Sequence, residues 1–156
     1  MNDIRIAQVT CAKEKEKIAR AILEALTEWF ELEAGREEYI SGSAEMDFFA
    51  AFDGDTPVGF LCLKQTGRDA VELAVTGVLK EYHRKGVGRA MFESAREHAK
   101  KQGFSFMQVK TVKSGVYEEY DLTNLAYRAW GFKELEVIPA IWGEDNPCQI
   151  YVMYLG

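Results

Sequence analysis

The chain has 156 residues, of which 47% are hydrophobic and 28% charged, values typical of a globular protein with one core. We therefore expect a single domain over residues 1–156. The 25 Asp and Glu residues against 19 Lys and Arg give a formal net charge of -6, which argues against nucleic-acid binding because phosphate contacts need a basic surface. No apolar run is long enough to cross a membrane and no secretory signal is visible, so we expect a cytoplasmic protein without a membrane partner.

The N-terminal part of the chain predicts one strand and two helices. Apolar residues alternate over residues 4–9, which indicates a strand. Thr10 is the expected N-cap of a helix that runs to about Trp29, with an apolar stripe along one side. A second, short helix is expected over residues 31–40, with an interruption near Gly35.

The middle of the chain predicts a three-stranded meander. Apolar runs over residues 48–52 and 58–63 flank the turn Asp53-Gly54-Asp55, which is a strong signal for an antiparallel hairpin. A second turn over residues 66–69 leads into another strand over residues 70–79.

The last part of the chain predicts a helix, a strand, a short helix and two more strands, at residues 87–102, 106–112, 124–130, 132–138 and 149–155. Gly103 and Gly131 follow the two helices, as glycines commonly do at helix ends. The resulting order, β α α β β β α β α β β, is typical of an α+β fold around one mixed sheet.

The most informative stretch is a basic turn with two glycines, which lies between a predicted strand and a predicted helix at residues 78–90. Free N–H groups at a helix start attract anions, and glycine lets the backbone approach a ligand closely. Arg84, Lys85 and Arg89 add three positive charges here. The stretch therefore predicts a diphosphate site.

Three other interpretations of this stretch are weaker. A helix that merely begins with glycines and a basic turn is less favoured, because glycine is a poorer cap than Ser or Asp and the cations cluster here. A dinucleotide-binding fingerprint needs a third glycine where Met91 stands. A P-loop needs Gly-Lys-Ser/Thr, which is absent from the sequence.

Two motifs resemble those of the GCN5-related N-acetyltransferase (GNAT) family. The hexapeptide 83–88, His-Arg-Lys-Gly-Val-Gly, is similar to the pyrophosphate loop Gln/Arg-x-x-Gly-x-Gly/Ala, with His83 in place of Gln or Arg. The hexapeptide 127–132, Tyr-Arg-Ala-Trp-Gly-Phe, is similar to the motif Tyr-x-x-x-Gly-Phe. In the family an asparagine often lies seven residues before the tyrosine of this motif, and in this chain Tyr120 occupies that position. The sequence leaves open whether Asn124 takes the role of that asparagine.

The resemblance implies a fold and a cosubstrate. The fold is an α+β, GNAT-like mixed and mostly antiparallel sheet, flanked by helices, in which the fourth and fifth strands splay apart. The cosubstrate is acetyl-CoA, and no metal is implied. The expected cofactor-binding residues are the backbone of Val78, Leu79 and Lys80 for the pantetheine arm, and Arg84, Lys85, Gly86, Val87, Gly88 and Arg89 for the pyrophosphate. Asn124 joins this set if it replaces the missing asparagine. An N–H at Val78 would polarise the thioester carbonyl, an effect worth ~3 kcal/mol in other enzymes.

The resemblance also implies catalytic roles for two residues. Tyr127 is the candidate general acid that protonates the CoA thiolate, the alternative being an aromatic residue of the core. Glu72 lies on the strand that enters the loop, on the face shared by Ala74, Thr76 and Val78 if alternation is regular. It is the candidate base, the alternatives being an exposed strand glutamate or a proton path through water to a remote group.

The histidines and cysteines are weaker candidates. His83 could contact a phosphate or be a solvated loop residue, and His98 is expected at a polar position of its helix. Cys11, Cys62 and Cys148 are expected to be buried or half-buried thiols, not disulfides, metal ligands or nucleophiles. Direct attack of an amine on the thioester is therefore preferred over an acyl-cysteine intermediate.

The acceptor side is predicted from aromatic residues interleaved with carboxylates. Trp29, Phe30 and Trp142 are the candidate substrate-binding residues, and Glu118, Glu119 and Asp121 add negative charge nearby along the chain. Such a surface suits a cationic amine. The alternative is that Trp29 belongs to the core and that the carboxylates are solvated.

Together these features predict an acetyl-CoA-dependent N-acetyltransferase that acts on a primary amine, either a small cationic amine or a peptide or protein amine, in a ternary complex. One alternative is the transfer of another acyl group or transfer to an oxygen acceptor. A second is a non-catalytic acyl-CoA-binding sensor module. Homodimers are common in the family that the sequence resembles, and the sequence leaves the oligomeric state open.

Overall fold

The computed structural model of the chain describes residues 3–27 and 33–156, so the predicted roles of Trp29 and Phe30 lie outside the described residues. In chain order these ranges form β1 (Ile4–Val9), α1 (Ala12–Ala25), α2 (Glu33–Ser43), β2 (Asp47–Asp53), β3 (Thr56–Gln65), β4 (Ala70–Val78), a 3₁₀ turn (Lys80–Tyr82), α3 (Val87–Lys101), β5 (Phe106–Val112), α4 (Glu118–Ala129), β6 (Lys133–Ile138) and β7 (Cys148–Tyr154). The predicted order of strands and helices is confirmed. None of the helices in these ranges is long and apolar enough to cross a membrane.

The strands of the described chain form a seven-stranded sheet in the order β1-β2-β3-β4-β5-β7-β6. Antiparallel pairs join β1 to β2, β2 to β3, β5 to β7 and β6 to β7, whereas β4 and β5 are parallel. The predicted hairpin is present, with Asp53 opposite Thr56 across its turn. The expected α+β fold around a mixed, mostly antiparallel sheet is therefore confirmed.

The parallel ladder between β4 and β5 is short. It runs from the pair Ala70 and Phe106 to the pair Leu73 and Val109. The ladder thus ends well before β4 ends at Val78, as the resemblance implies for the fourth and fifth strands. The backbone of β4 beyond Leu73 is where the pantetheine contacts are expected.

The chain divides into two compact units. The first contains the residues up to Lys64 together with Ala74–His98, and the second contains Gln65–Leu73 together with Ala99–Gly156. Both β4 and α3 contribute residues to both units.

The core of the first unit forms where the apolar stripe of α1 meets the strands. Ile18, Ile22 and Leu23 are buried in one cluster with Phe48 and Phe60, whose rings stack with centroids 5.4 Å apart. Removing this apolar surface from water is the main driving force for docking α1 on the sheet.

The core of the second unit is built from β5, β7 and the end of α4. Its buried residues include Met107, Val109, Tyr127, Phe132, Cys148, Ile150, Tyr151, Met153 and Leu155. One face of α3 is also buried, along Val87, Met91, Ala95 and Ala99.

The start of α1 differs from the prediction. Cys11 precedes its first turn, not Thr10, and no side chain caps the helix. The Lys15 N–H donates to the Cys11 carbonyl at 3.0 Å. The buried Lys15 ammonium donates to the carbonyls of Ala44 and Met46, at 3.3 and 2.7 Å. These ammonium contacts tie the first turn of α1 to residues distant in sequence.

Two other helix bounds are also corrected. The helix α2 runs through Gly35 without the predicted interruption, because a single helical glycine costs only ~1 kcal/mol. The helix α4 begins at Glu118, earlier than the predicted Asn124. Its first turn carries Glu118, Glu119 and Asp121, and negative charge is favourable at a helix N-terminus.

Candidate active site

The basic turn predicted as a diphosphate site lies in the first unit, between the 3₁₀ turn and α3. Arg84 has φ +62° and Gly86 has φ +78°, both in the left-handed region. A non-glycine residue is uncommon there, so Arg84 holds a strained backbone conformation. Left-handed residues in a turn direct successive N–H groups to one side, which makes an anion-binding concavity.

The first turn of α3 adds further donors to this loop. The Ala90 N–H donates to the Gly86 carbonyl at 3.0 Å and closes the first helical turn. The N–H groups of Val87, Gly88 and Arg89 precede that bond, and helix geometry gives them no acceptor within the helix. A Cβ placed on Gly86 would meet nothing within 4 Å, so the space beside the loop is open.

The cations of this loop are available to an anion. Arg84, Lys85 and Arg89 are all exposed. The Arg89 Nε lies 3.9 Å from the Glu93 carboxylate, a loose surface pair that holds the guanidinium only weakly. Backbone donors, open space and exposed cations together fit a diphosphate, as the sequence predicts.

Tyr82 anchors the start of this loop, a contact that sequence reasoning missed. Its hydroxyl donates to the Asp53 carboxylate at 2.5 Å, at the end of β2. That hydrogen bond is the main reason why the pKa of Tyr82 is raised above its ordinary value. The Lys85 ammonium lies over the Tyr82 ring, 5.6 Å from its centroid. Asp53 and Tyr82 are far apart in sequence, so no local pattern could have paired them.

His83 contacts the backbone at the end of β4. Its Nε2 lies 2.6 Å from the Val78 carbonyl oxygen, while the side chain remains exposed. The exposed ring thus has a backbone partner, so His83 is not a purely solvated loop residue. Leu79 follows Val78 directly, and Lys80 begins the 3₁₀ turn.

Tyr127 lies in the second unit, on α4, and is buried. Its ring has aromatic neighbours in Trp130, Phe132 and Tyr151, with centroids 5.5, 5.9 and 6.1 Å away. The ring therefore belongs to the core of this unit. These ring contacts do not exclude a catalytic role for the Tyr127 hydroxyl.

The end of α4 explains the spacing of the second motif. The Phe132 N–H donates to the Tyr127 carbonyl at 3.0 Å, and the Gly131 N–H donates to the Arg128 carbonyl at 3.1 Å. These two bonds make a Schellman C-cap, with Gly131 at φ +106° in the position that favours glycine. The contact between the Tyr127 and Phe132 rings is the apolar pair that accompanies such caps.

Asn124 is buried and its amide is bonded within the protein. Its Nδ2 donates to the carbonyls of Val112 and Tyr120, at 2.9 and 2.6 Å, and its Oδ1 accepts from the Tyr151 hydroxyl at 2.5 Å. Both amide N–H groups are thereby used. Its side chain thus joins α4 to β5 and β7, and a contact of Asn124 with the cofactor stays a prediction.

Tyr151 connects this network to the surface. Burial raises the pKa of Tyr151, and the nearby Arg128 guanidinium opposes that rise. The hydrogen bond to Tyr151 in turn raises the pKa of Arg128, which also pairs with Glu134 at 3.1 Å. The sequence gives no signal for this network, since its members come from α4, β6 and β7.

Glu72 forms an ion pair that the sequence did not predict. Its carboxylate lies 3.3 Å from the Lys110 ammonium on β5. The Glu72 side chain is 14% exposed, so it is not the exposed strand glutamate of the alternative interpretation. The predicted face is confirmed, since Glu72, Ala74, Thr76 and Val78 are half-buried while the residues between them are buried.

The predicted acceptor residues are only partly described. Trp142 is 42% exposed, beside Ile141 at 51%. Asp121 is engaged locally, because its carboxylate accepts the Gly115 N–H at 2.6 Å. The chain thus uses one of the predicted acidic residues to hold the turn before α4.

The cysteines and His98 take structural positions. Cys62 and Cys148 are buried, and burial raises the pKa of both thiols. Cys11 is exposed, which corrects the expectation that all three cysteines are buried or half-buried. The His98 Nε2 lies 3.0 Å from the Asp47 carboxylate, so His98 is a polar helix residue as predicted.

Comparison with known proteins supports the resemblance seen in the motifs. The model of the acetyltransferase (GNAT) family matches residues 19–132, which include the basic loop and the Tyr127 motif. No curated protein sequence matches the chain.

Solved structures of similar fold include three acetyltransferases. One, an acetyltransferase of the GNAT family from Desulfovibrio desulfuricans, has a TM-score of 0.83 and 17% identity, over 99% of this chain and 100% of that chain. The ribosomal-protein-S18-alanine N-acetyltransferase from Escherichia coli has a TM-score of 0.77 and 17% identity, over 97% and 95%. An aminoglycoside 6'-N-acetyltransferase complexed with coenzyme A has a TM-score of 0.76 and 18% identity, over 97% of each chain. At these identities the likeness shows a shared fold.

Proposed function

Because the chain belongs to the acetyltransferase (GNAT) family, we propose that it transfers the acetyl group of acetyl-CoA to a primary amine. The observation that carries this proposal is the loop of the first unit, where left-handed backbone, the free N–H groups of a helix start and three exposed cations coincide. Nothing in a purely structural turn requires that combination.

The loop and the end of β4 divide the binding of acetyl-CoA between them. The backbone from Arg84 to Arg89 holds the diphosphate through N–H groups, and the side chains of Arg84, Lys85 and Arg89 neutralise its charge. The backbone of Val78 and Lys80, with Leu79 between them, holds the pantetheine arm. That role is supported by the early end of the β4–β5 ladder, at Leu73.

The reaction is a direct attack of the amine on the thioester carbonyl. An N–H at Val78 stabilises the negative charge that develops on the carbonyl oxygen. The C–S bond then breaks, and Tyr127 gives a proton to the departing thiolate. An acyl-cysteine route is disfavoured, because burial keeps the thiols of Cys62 and Cys148 protonated.

The amine must lose a proton, and Glu72 is the proposed base, acting directly or through water. Its half-buried position on β4 supports this role, and the Lys110 ion pair holds its carboxylate in place. The acceptor is proposed only as a class, a small cationic amine or a peptide amine. The E. coli and aminoglycoside enzymes of similar fold are both named for amine acceptors.

The test combines calorimetry with an assay for released thiol. CoA should bind to the purified chain, and acetyl-CoA should release thiol in the presence of at least one member of a panel of polyamines, aminoglycosides, amino acids and peptides. Binding without turnover on any amine would favour a sensor module, and turnover only with alcohols would favour an oxygen acceptor. A chain that binds no CoA would contradict the proposal.

A further inference from the structure

The peptide between Val78 and Leu79 has a defined orientation. The Leu79 N–H donates to the Val58 carbonyl of β3, at 2.9 Å. In a trans peptide the N–H and the C=O point in opposite directions, and the described chain contains no cis peptide bond. The Val78 carbonyl therefore points away from β3.

His83 holds that carbonyl from the other side. Its Nε2 lies 2.6 Å from the Val78 oxygen, and a carbonyl oxygen can only accept a hydrogen bond. The ring nitrogen must therefore carry the proton. The His83 backbone N–H donates to the Lys80 carbonyl at 3.1 Å, so His83 ties the loop to the end of β4 through both its backbone and its ring.

Building on the proposed function, we propose that His83 is a positioning residue for acetyl-CoA. Its Nε2–H fixes the Val78–Leu79 peptide, and with it the backbone expected to meet the pantetheine arm. The residue connects the two halves of the binding site, because it belongs to the diphosphate loop and holds the strand end. A fixed strand end lowers the entropy cost of binding, since less backbone must be ordered.

The same contact explains why histidine is tolerated at the first position of the loop motif. Gln and Arg, the usual residues there in the resembled family, both carry N–H donors. A histidine protonated on Nε2 offers the same kind of donor. The structure therefore predicts that the position requires an N–H group and does not require a positive charge.

The binding test uses two variants, His83→Leu and His83→Gln, and calorimetry with CoA at low and high salt. His83→Leu should weaken CoA binding by about three- to tenfold, the loss expected for one hydrogen bond, at both salt concentrations. His83→Gln should bind CoA within about twofold of wild type, because its amide restores the donor. Lys85→Met serves as comparison and should reduce the salt dependence, because it removes a charge.

A second measurement does not depend on CoA. Nitrogen NMR of the cofactor-free chain should show the His83 ring protonated on Nε2, whereas protonation on Nδ1 alone would overturn the contact. Equal CoA binding by wild type and His83→Leu would overturn only the role of His83. If CoA binding by His83→Leu no longer depended on salt, His83 would be a phosphate contact and not a positioning residue. A wild-type chain that binds no CoA would overturn the proposed function and this role together.

Discussion

At the scale of a single residue, Tyr127 is a core residue for which we propose a catalytic role. Its ring is packed among Trp130, Phe132 and Tyr151, which fixes where its hydroxyl can point. A general acid works only if its proton is held within hydrogen-bond reach of the reacting atom. Aromatic packing around Tyr127 is therefore a means of positioning and does not argue against catalysis.

Replacing Tyr127 by Phe keeps this packing and removes only the hydroxyl. We expect Tyr127→Phe to lower kcat by about 100-fold, the usual range for a lost general acid, while the Kd of CoA stays within about twofold. Steady-state kinetics and calorimetry measure the two effects. Tyr154→Phe, at an exposed position of β7, is the matched control and should have normal kcat. Normal turnover by Tyr127→Phe would remove its hydroxyl from the mechanism.

Glu72 is the second residue whose role is open to a direct test. Its partner Lys110 lies on β5, two residues beyond Gln108, the residue paired with Glu72 in the ladder. Residues two apart on a strand share a face, so the pair follows from the register. The sequence alone could not identify it, because it does not show which strand lies beside β4.

If Glu72 is the base, Glu72→Gln should abolish the acidic limb of the pH profile of kcat/KM, because an amide cannot take up the proton of the amine. The measurement is kcat/KM for the best amine of the panel across the acidic range. Glu136→Gln, at an exposed position of β6, is the control and should keep the wild-type profile. An unchanged acidic limb in Glu72→Gln would point to a proton path through water to another group.

At the scale of elements, the second family motif is a helix end. The Schellman cap of α4 requires a left-handed residue at Gly131 and sets the spacing from Tyr127 to Phe132. The motif thus places the catalytic candidate at a fixed distance from the end of its helix. A cap of this kind is local, so the sequence predicted the end of α4 correctly.

Gly131→Ala should destabilise the protein by about 1–3 kcal/mol, because alanine is strained at positive φ and its Cβ would lie 3.2 Å from the Met153 Cε. Urea unfolding gives the change in free energy. Gly35→Ala is the matched control, since Gly35 is helical and a Cβ there would meet nothing within 4 Å. It should stabilise α2 by about 0.5–1 kcal/mol. A Gly131→Ala variant as stable as wild type would contradict the role of the cap.

The helix starts were predicted less well than the strands of the hairpin. The strands of the hairpin and the helix after the basic loop were predicted because turn residues and periodicity are local signals. The N-cap of α1 was predicted one residue early, at Thr10 instead of Cys11, and no side chain caps the helix there. The start of α4 was placed too late, because its polar first turn has no apolar periodicity and is set by charge at the helix start.

At the scale of the whole molecule, the loop belongs to the first unit and Tyr127 to the second. The expectation of a single domain therefore stays a prediction, and it has a clear test. Since β4 and α3 each contribute to both units, we expect one cooperative unfolding transition. Far-ultraviolet circular dichroism and tryptophan fluorescence should give coincident curves in urea, and two separate transitions would contradict a single domain.

In the same urea assay, CoA at 100 times its Kd should stabilise the native chain by about 2.7 kcal/mol. In thermal unfolding this corresponds to a rise in Tm of about 5–10 °C. Pantetheine at the same concentration is the control and should give a smaller shift, because it lacks the diphosphate that we propose the loop binds. Equal shifts with both compounds would show that the loop contributes little to binding.

The sequence by itself determined the order of strands and helices, the basic loop and both motifs, because each depends on residues close together in the chain. It also determined the net charge of -6 and the position of three cations close together in the basic loop. Only the tertiary structure decided which polar groups meet: His83 with the Val78 carbonyl, Asn124 with Tyr151, and Glu72 with Lys110. Hydrogen bonds act over about 3 Å, and strand register and helix packing alone determine which side chains come that close.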